Sequence, residues 1–293
     1  MSEKVLIVGA GGQLGQELQR TAPADLPWVA VGRAELDIAD PAAVSKAIDE
    51  HAPTQVINAA AYTAVDKAES EPEAAAAGNV EGPRILAEAC AAAGARLIHV
   101  STDFVFDGES SVPYAPEMPT GPLGVYGQTK LDGELAVRAA LPTALIVRTG
   151  WVYSAFGGNF VKTMLRLMDS NDTLTIVSDQ VGTPTWANGL AAALWSAVQR
   201  PALTGTYHWS DAGVCSWYDF AVAIFEEATS LGLLTQPVTI KPIPARQYPT
   251  PAQRPSYSVL DKEKTWEDLQ LDGVHWRTQL RTMLEDHKEL ENG

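Results

Sequence analysis

Val5-Leu-Ile-Val-Gly-Ala-Gly-Gly-Gln-Leu-Gly15 decides how the chain folds, because a four-residue apolar run passes directly into a glycine-rich loop and then into helical spacing. Val5 to Val8 reads as a strand covered on both faces, the pattern of a parallel sheet. From Gln13 to about Thr21, Leu14 and Leu18 recur four apart, so the loop opens a helix whose free N–H groups can receive a pyrophosphate. The spacing is Gly-x-x-Gly-x-x-Gly. Gly9 serves the tight turn, Gly12 the close approach of backbone to phosphate, and Gly15 the packing of helix on strand.

The chain on either side repeats the alternation. Trp28 to Val31 is a second strand, and it ends in Gly32-Arg33 where an NAD-specific site would place an acid. Arg33 can pair with a 2′-phosphate instead, which favours NADPH; the other reading is a solvated loop arginine. Asp40-Pro41 is an N-cap with proline at the first helical position, opening a helix to about His51, so that Asp37 and Ile38 before it would flank the adenine. Gln55 to Asn58 is the third strand and runs into the small-residue stretch Ala59-Ala60-Ala61-Tyr62-Thr63, where a cofactor can lie against backbone. Ala74 to Ala93 is an alanine-rich helix interrupted by Gly78, Gly82 and Pro83, with a kink or break expected at Pro83. Arg96 to Val100 is the fourth strand and Ala144 to Arg148 the fifth. Strand and helix thus alternate over residues 1–150, which predicts an α/β Rossmann-type doubly wound parallel sheet with ligands outside the carboxyl ends of its strands.

The fourth strand delivers Ser101, Thr102 and Asp103 to such an end, and Tyr126-Gly-Gln-Thr-Lys130 follows. A tyrosine four residues before a lysine on a helix puts both on one face, about 6 Å apart at the backbone. The ammonium then favours phenolate and lowers the tyrosine from its usual pKa of about 10, which suits proton exchange with an alkoxide.

Residues 151–293 read mostly as a smaller, discontinuous C-terminal α/β substrate domain. Trp151, at a strand end, either stacks on a sugar or belongs to a core. Phe160 to Met168 is a helix and Leu174 to Val177 a sixth strand. Elements near 172–178 and 216–235 are expected to return to the first domain. Trp186 to Val198 is a helix, Thr206 to Trp209 a short strand, and Ser216-Trp-Tyr-Asp219 a capping box opening a helix with Trp217, Phe220, Ile224 and Phe225 on one face. The proline-dense tract Lys241 to Pro255 carries Arg246 and Arg254, and either clamps a diphosphate or forms a rigid surface loop. Glu285 to Gly293 reads as a polar tail.

Composition bounds the partners. The 21 Lys+Arg against 36 Asp+Glu give a net charge of -15, which disfavours nucleic acid and anionic membranes as partners. Met1-Ser-Glu-Lys4 leads straight into the first strand without an export signal, and Cys90 and Cys215 lack metal-ligand spacing, so two reduced thiols in a cytoplasmic protein are expected. None of the five histidines sits at ligand spacing from another, and no Ser/His/Asp set is evident, which disfavours metal hydrolysis and acyl transfer.

Six motifs, in order, carry a resemblance along nearly the whole chain: Gly9 to Gly15, Asn58 to Pro72, Ser101-Thr-Asp-Phe-Val-Phe-Asp-Gly108, Val125-Tyr-Gly-Gln-Thr-Lys-Leu131, Asp179-Gln-Val-Gly-Thr-Pro-Thr185 and Tyr248-Pro-Thr-Pro-Ala-Gln-Arg-Pro255. The sequence resembles the extended short-chain dehydrogenases/reductases, and among them the dTDP-4-dehydrorhamnose reductase family. The resemblance implies an NADPH-dependent oxidoreductase acting on the C4 ketone of a dTDP-sugar, with NADH as a further hydride source. It implies Tyr126 as proton donor, Lys130 holding the nicotinamide ribose and acidifying Tyr126, Thr102 bonding the sugar carbonyl and Trp151 packing on the sugar, with Asp103 and Arg254 also on the substrate. Gly12, Gln13, Leu14, Asp37, Ile38, Ala60, Ala61 and Tyr62 would surround the cofactor. A homodimer, in some members with Mg²⁺ at its interface, is also implied, without assignable ligands here. Phe104 stands where the family has tyrosine, and Gly150 where serine is common. Among alternatives, a sugar 4,6-dehydratase needs a glutamate at position 104, a 4-epimerase normally has a serine-rich strand end, and a regulatory subunit like the methionine adenosyltransferase β subunit could retain the same triad.

Overall fold

β1 (Val5–Val8) is buried along its whole length and leads through the glycine loop into α1 (Gln13–Arg20). The structure is a computed structural model that describes residues 4–292; Met1 to Glu3 and Gly293 lie outside it. β2 (Trp28–Val31), α2 (Pro41–His51) and β3 (Gln55–Asn58) follow with the boundaries expected. The Asp40 carboxylate caps α2 by accepting from the Ala42 and Ala43 N–H groups. The short α3 (Val65–Ala68) and α4 (Pro72–Ala76) come next, and a π-turn, Ala77–Glu81, joins α4 to α5 (Gly82–Ala93). No break occurs at Pro83. It falls in the first turn of α5, directly after the π-turn has displaced the hydrogen-bond ladder, so its missing N–H leaves no partner stranded.

β4 (Arg96–Thr102), α6 (Val125–Ala140) and β5 (Leu145–Thr149) complete the first half. β6 (Val152–Tyr153), α7 (Phe160–Ser170), β7 (Thr173–Val177), β8 (Val181–Gly182), β9 (Thr185–Trp186) and α8 (Ala187–Val198) precede β10 (Gly205–His208). β11 (Cys215–Ser216), α9 (Trp217–Ser230), β12 (Thr239–Ile243), α10 (Glu263–Leu269) and α11 (Trp276–Asn292) follow.

The main sheet has six strands in the order β10-β5-β4-β3-β1-β2, all parallel. The order reverses between β1 and β3, which opens a crevice at their carboxyl ends, flanked by the glycine loop and by Ala59 to Thr63. Helices cover both faces: Leu14 and Leu18 of α1 pack with Leu190 and Leu194 of α8 on one side, and Val44, Ile85, Leu86 and Val137 fill the other.

The sixth place belongs to β10, not to the strand expected at 174–177. β7 pairs instead with β12, in parallel, as a separate two-stranded ribbon. Thr173 and Thr175 of β7 are exposed, and a strand inside a doubly covered sheet needs both faces buried, as Tyr207 and His208 of β10 provide. Nor does 216–235 return to the first unit: α9 packs on α7 and α11, where Phe220, Ile224, Met164, Met168, Leu280 and Met283 form a second core. Its capping box between Ser216 and Asp219 is present. Pro242 is accommodated in β12 because a two-stranded ribbon leaves one edge unpaired. The expected polar tail is the last part of α11, whose Leu280, Met283 and Leu284 are buried at helical spacing. Cys90 and Cys215 are free and buried, and burial pushes the Cys90 thiol up to about 12. Among the described residues, no helix is long and apolar enough to cross a membrane.

Candidate active site

Gly9 adopts φ +95°, and a Cβ there would fall 2.7 Å from the Ala60 nitrogen; one at Gly15 would fall 2.1 Å from the Gly9 carbonyl oxygen. These two glycines let the loop lie against β3 and α1 against the loop. At Gly11 a Cβ would meet nothing within 4 Å, and no side chain caps the first turn of α1. The loop therefore presents open backbone and uncapped N–H groups, a cradle suited to a pyrophosphate. Leu14 is buried in the core, and the Gln13 side-chain Oε1 accepts from the Asn159 amide just before α7.

At the end of β2, Arg33 is exposed, as its loop position suggests. The acid that position 33 lacks comes from two residues further on. Glu35 folds back so that its Oε2 accepts from the Gly32 N–H at 2.7 Å, while Gly9 and Ala10 donate to the neighbouring Val31 carbonyl. Asp37 accepts from the Ala39 N–H, and Ile38 is buried against Gly82. Beyond β3, Asn79 in the π-turn holds Tyr62 by both backbone groups, accepting from its N–H at 2.9 Å and donating to its carbonyl at 3.1 Å. The Tyr62 hydroxyl donates to Glu71. Ala61 is exposed and Ala60 half-buried beside this held turn.

The catalytic helix is fixed from several sides. Glu69 reaches across to accept from the Val125 N–H at 2.8 Å, capping α6 with an acid where the helix dipole favours one. Gly127 lets the helix touch the Phe104 backbone, since a Cβ there would sit 2.3 Å from the Phe104 carbonyl oxygen. Glu134 and Arg148, both buried, form a two-bond ion pair at 2.9 and 2.7 Å that ties α6 to β5. Glu35, Glu69, Asn79 and Glu134 were not singled out from the sequence.

Thr102, Asp103 and Tyr126 converge at the end of β4. The Thr102 hydroxyl donates to Asp103 at 3.1 Å and lies within hydrogen-bond reach of the Tyr126 phenol. The Phe104 ring packs edge-on to Tyr126, with centroids 5.5 Å apart, so no second carboxylate follows Asp103. Lys130 shares the helix face with Tyr126, but its ammonium donates to the Val100 carbonyl at 2.8 Å. Burial pushes Tyr126 up to about 12, and the Asp103 charge adds to the rise. Burial likewise brings Lys130 down to about 8, with Glu134 opposing. Burial is therefore the largest influence on the phenol, and it opposes the acidification that the spacing predicts.

Trp151, held at φ 51°, stacks on Trp217 with centroids 3.5 Å apart and planes within 5°. It is half-buried and belongs to an aromatic cluster with Phe160 and Phe220. Arg254 forms a two-bond ion pair with Asp66 at 3.0 and 2.8 Å, fastening the tract that follows β12 to α3. Among the described residues, no group of three or more His, Cys, Asp or Glu side chains is placed to hold a metal.

The model of the RmlD substrate binding domain matches residues 3–289. A dTDP-4-dehydrorhamnose reductase of Streptomyces griseus is 46% identical over 284 residues, covering 94% of this chain and 91% of its own. The chain belongs to the dTDP-4-dehydrorhamnose reductase family. Solved members of this family have the same fold. That of Clostridium acetobutylicum superposes with a TM-score of 0.91 at 40% identity, covering 97% of this chain and 99% of its own. That of Bacillus anthracis, in complex with NADP, gives 0.92 at 34% identity over 98% of this chain and all (100%) of its own. The crevice of this dTDP-4-dehydrorhamnose reductase family member is therefore that of a Rossmann-type oxidoreductase.

Proposed function

We propose that the protein catalyses NADPH-dependent reduction of the C4 ketone of dTDP-4-dehydro-L-rhamnose to dTDP-L-rhamnose, the last step in making this cell-wall or lipopolysaccharide precursor. The observation that carries this is the meeting of the Thr102 and Tyr126 hydroxyls at the end of β4, with Lys130 one turn further along α6. Gly9, Gly12 and Gly15, with Gln13 and Leu14 at the start of α1, would hold the pyrophosphate, and Asp37, Ile38, Ala60, Ala61 and Tyr62 the rest of the dinucleotide. The bound nicotinamide supplies the hydride. Tyr126, protonated in its buried setting, gives its proton to the C4 oxygen as the ketone becomes an alcohol. Thr102 donates a hydrogen bond to the same oxygen, and Lys130 offers its ammonium to the ribose and supports the phenolate left behind. Trp151 and Arg254 would line the sugar and diphosphate, Arg254 exchanging part of its Asp66 pairing. A cytoplasmic location and a homodimeric assembly are parts of the same proposal.

Incubating the protein with NADPH and dTDP-4-dehydrorhamnose should oxidise the cofactor and yield dTDP-rhamnose. No oxidation above the substrate-free rate would instead favour a binding subunit. Dehydration is disfavoured by Phe104, which offers no acid.

Cofactor choice follows from the end of β2. Glu35 can accept from ribose hydroxyls and repels a 2′-phosphate, while Arg33 attracts that phosphate, so NADH serves as a second hydride source. Glu35→Ala is expected to shift the ratio of dissociation constants toward NADPH by about tenfold, the worth of one charge-assisted hydrogen bond. Fluorescence titration of both cofactors reads this directly, and an unchanged ratio would remove Glu35 from the site.

A further inference from the structure

Asp103 is a carboxylate that the reduction described above leaves without a task. It is 2% exposed, and its Oδ2 has no hydrogen-bond partner among the described residues. A side chain at position 150 would crowd it, because a Cβ on Gly150 would fall 2.5 Å from that same Oδ2. Around the carboxylate stand the Thr102 hydroxyl on β4, the Ser258 hydroxyl, the Phe104 N–H and, beyond Thr102, Tyr126 on α6. Lys130 is turned to the Val100 carbonyl, and among the described residues no cation is paired with Asp103. A buried carboxylate that meets only hydroxyl and amide donors, with no cation beside it among the described residues, is costly as an anion and far cheaper as the neutral acid.

Thr102 has one proton to give. Its oxygen already accepts from the Phe104 N–H at 3.3 Å, and its proton is directed to Asp103 Oδ1 at 3.1 Å. While Asp103 is ionised, that charge-assisted bond holds the proton away from any sugar carbonyl. When Asp103 is protonated the bond reverses: the carboxyl O–H donates to the remaining Thr102 lone pair, and the threonine proton is released toward the crevice. Glycine at 150 leaves the carboxyl proton no competing acceptor at that position.

We propose that Asp103 is a positioning residue that sets the direction of the Thr102 hydroxyl proton, and that the reducing form of the enzyme carries Asp103 as the neutral acid. The inference rests on the reading that Thr102 polarises the substrate carbonyl. Burial raises the Asp103 carboxyl to about 6, so it changes state within the range where turnover is easily measured.

The test is the pH profile of kcat/KM. For the unaltered enzyme a fall of about tenfold to a plateau is expected between about pH 5 and pH 8, the worth of one neutral hydrogen bond to the carbonyl. In Asp103→Asn the amide donates to Thr102 at every pH, so the step disappears and kcat/KM at the alkaline end exceeds that of the unaltered enzyme by about the same factor. Thr102→Val lacks the step whether or not Asp103 is also changed, and this variant carries the test should Asp103→Asn fail to fold. A step that persists in Asp103→Asn, or in Thr102→Val that has itself lost turnover, overturns the role of Asp103. Full turnover in Thr102→Val overturns the underlying reading of Thr102, and the inference with it.

Discussion

Tyr126→Phe is expected to lower kcat by about 10²–10⁴ while leaving NADPH affinity within about twofold of the unaltered value, because it removes a proton donor and nothing that holds the dinucleotide. The phenyl ring keeps its edge-on contact with Phe104, so the site should retain its shape. Burial keeps the phenol protonated through the neutral range, which is the state a donor needs. Stopped-flow reduction with saturating NADPH separates the chemical step from binding. Turnover within about threefold of normal would show that another group delivers the proton.

The second large effect is structural. Glu134→Ala is expected to cost about 3–5 kcal/mol of stability, because Arg148 would remain buried with an unpaired charge. Both partners are at most 6% exposed in their side chains, and among the described residues Arg148 has only the Pro116 carbonyl and the Phe106 ring to fall back on. The same loss reaches the catalytic helix, since Glu134 supports the charge of Lys130 one turn away. Urea unfolding followed by circular dichroism measures the cost. Removing both charges, with Glu134→Leu and Arg148→Met together, should recover most of it; a loss below about 1 kcal/mol for the single change would mean that water reaches Arg148.

The elements readable from sequence are those whose neighbours in the chain determine them. β1, β2 and β3 begin and end where their apolar runs do, and Asp40-Pro41 opens α2, because burial on both faces and local capping leave a mark on each residue. Leu174 to Val177 looked equally strand-like, and is one, but its place in the fold depends on a partner 66 residues later in β12. Tyr126 and Lys130 were legible because helical spacing alone puts them on one face. Glu69, which caps their helix, is 56 residues from Val125 and leaves no local trace. Lys130 shows the limit of spacing as a guide to electrostatics: the interval is right, yet the ammonium turns to Val100 and burial governs the phenol. Trp151, open to either reading in the sequence, lies stacked on Trp217 in a cluster that no interval between them reveals.

In the proposed reaction the crevice delivers hydride to C4 of the sugar and a proton from Tyr126 to its oxygen. Incubation with NADPH deuterated at C4 of the nicotinamide, followed by mass spectrometry and NMR of the product, tests it most directly. One deuterium at C4 of dTDP-rhamnose is expected, with one NADPH oxidised per product formed, and loss of that product in Tyr126→Phe. Product without deuterium at C4, or deuterium lost from the cofactor without a reduced sugar, would contradict it.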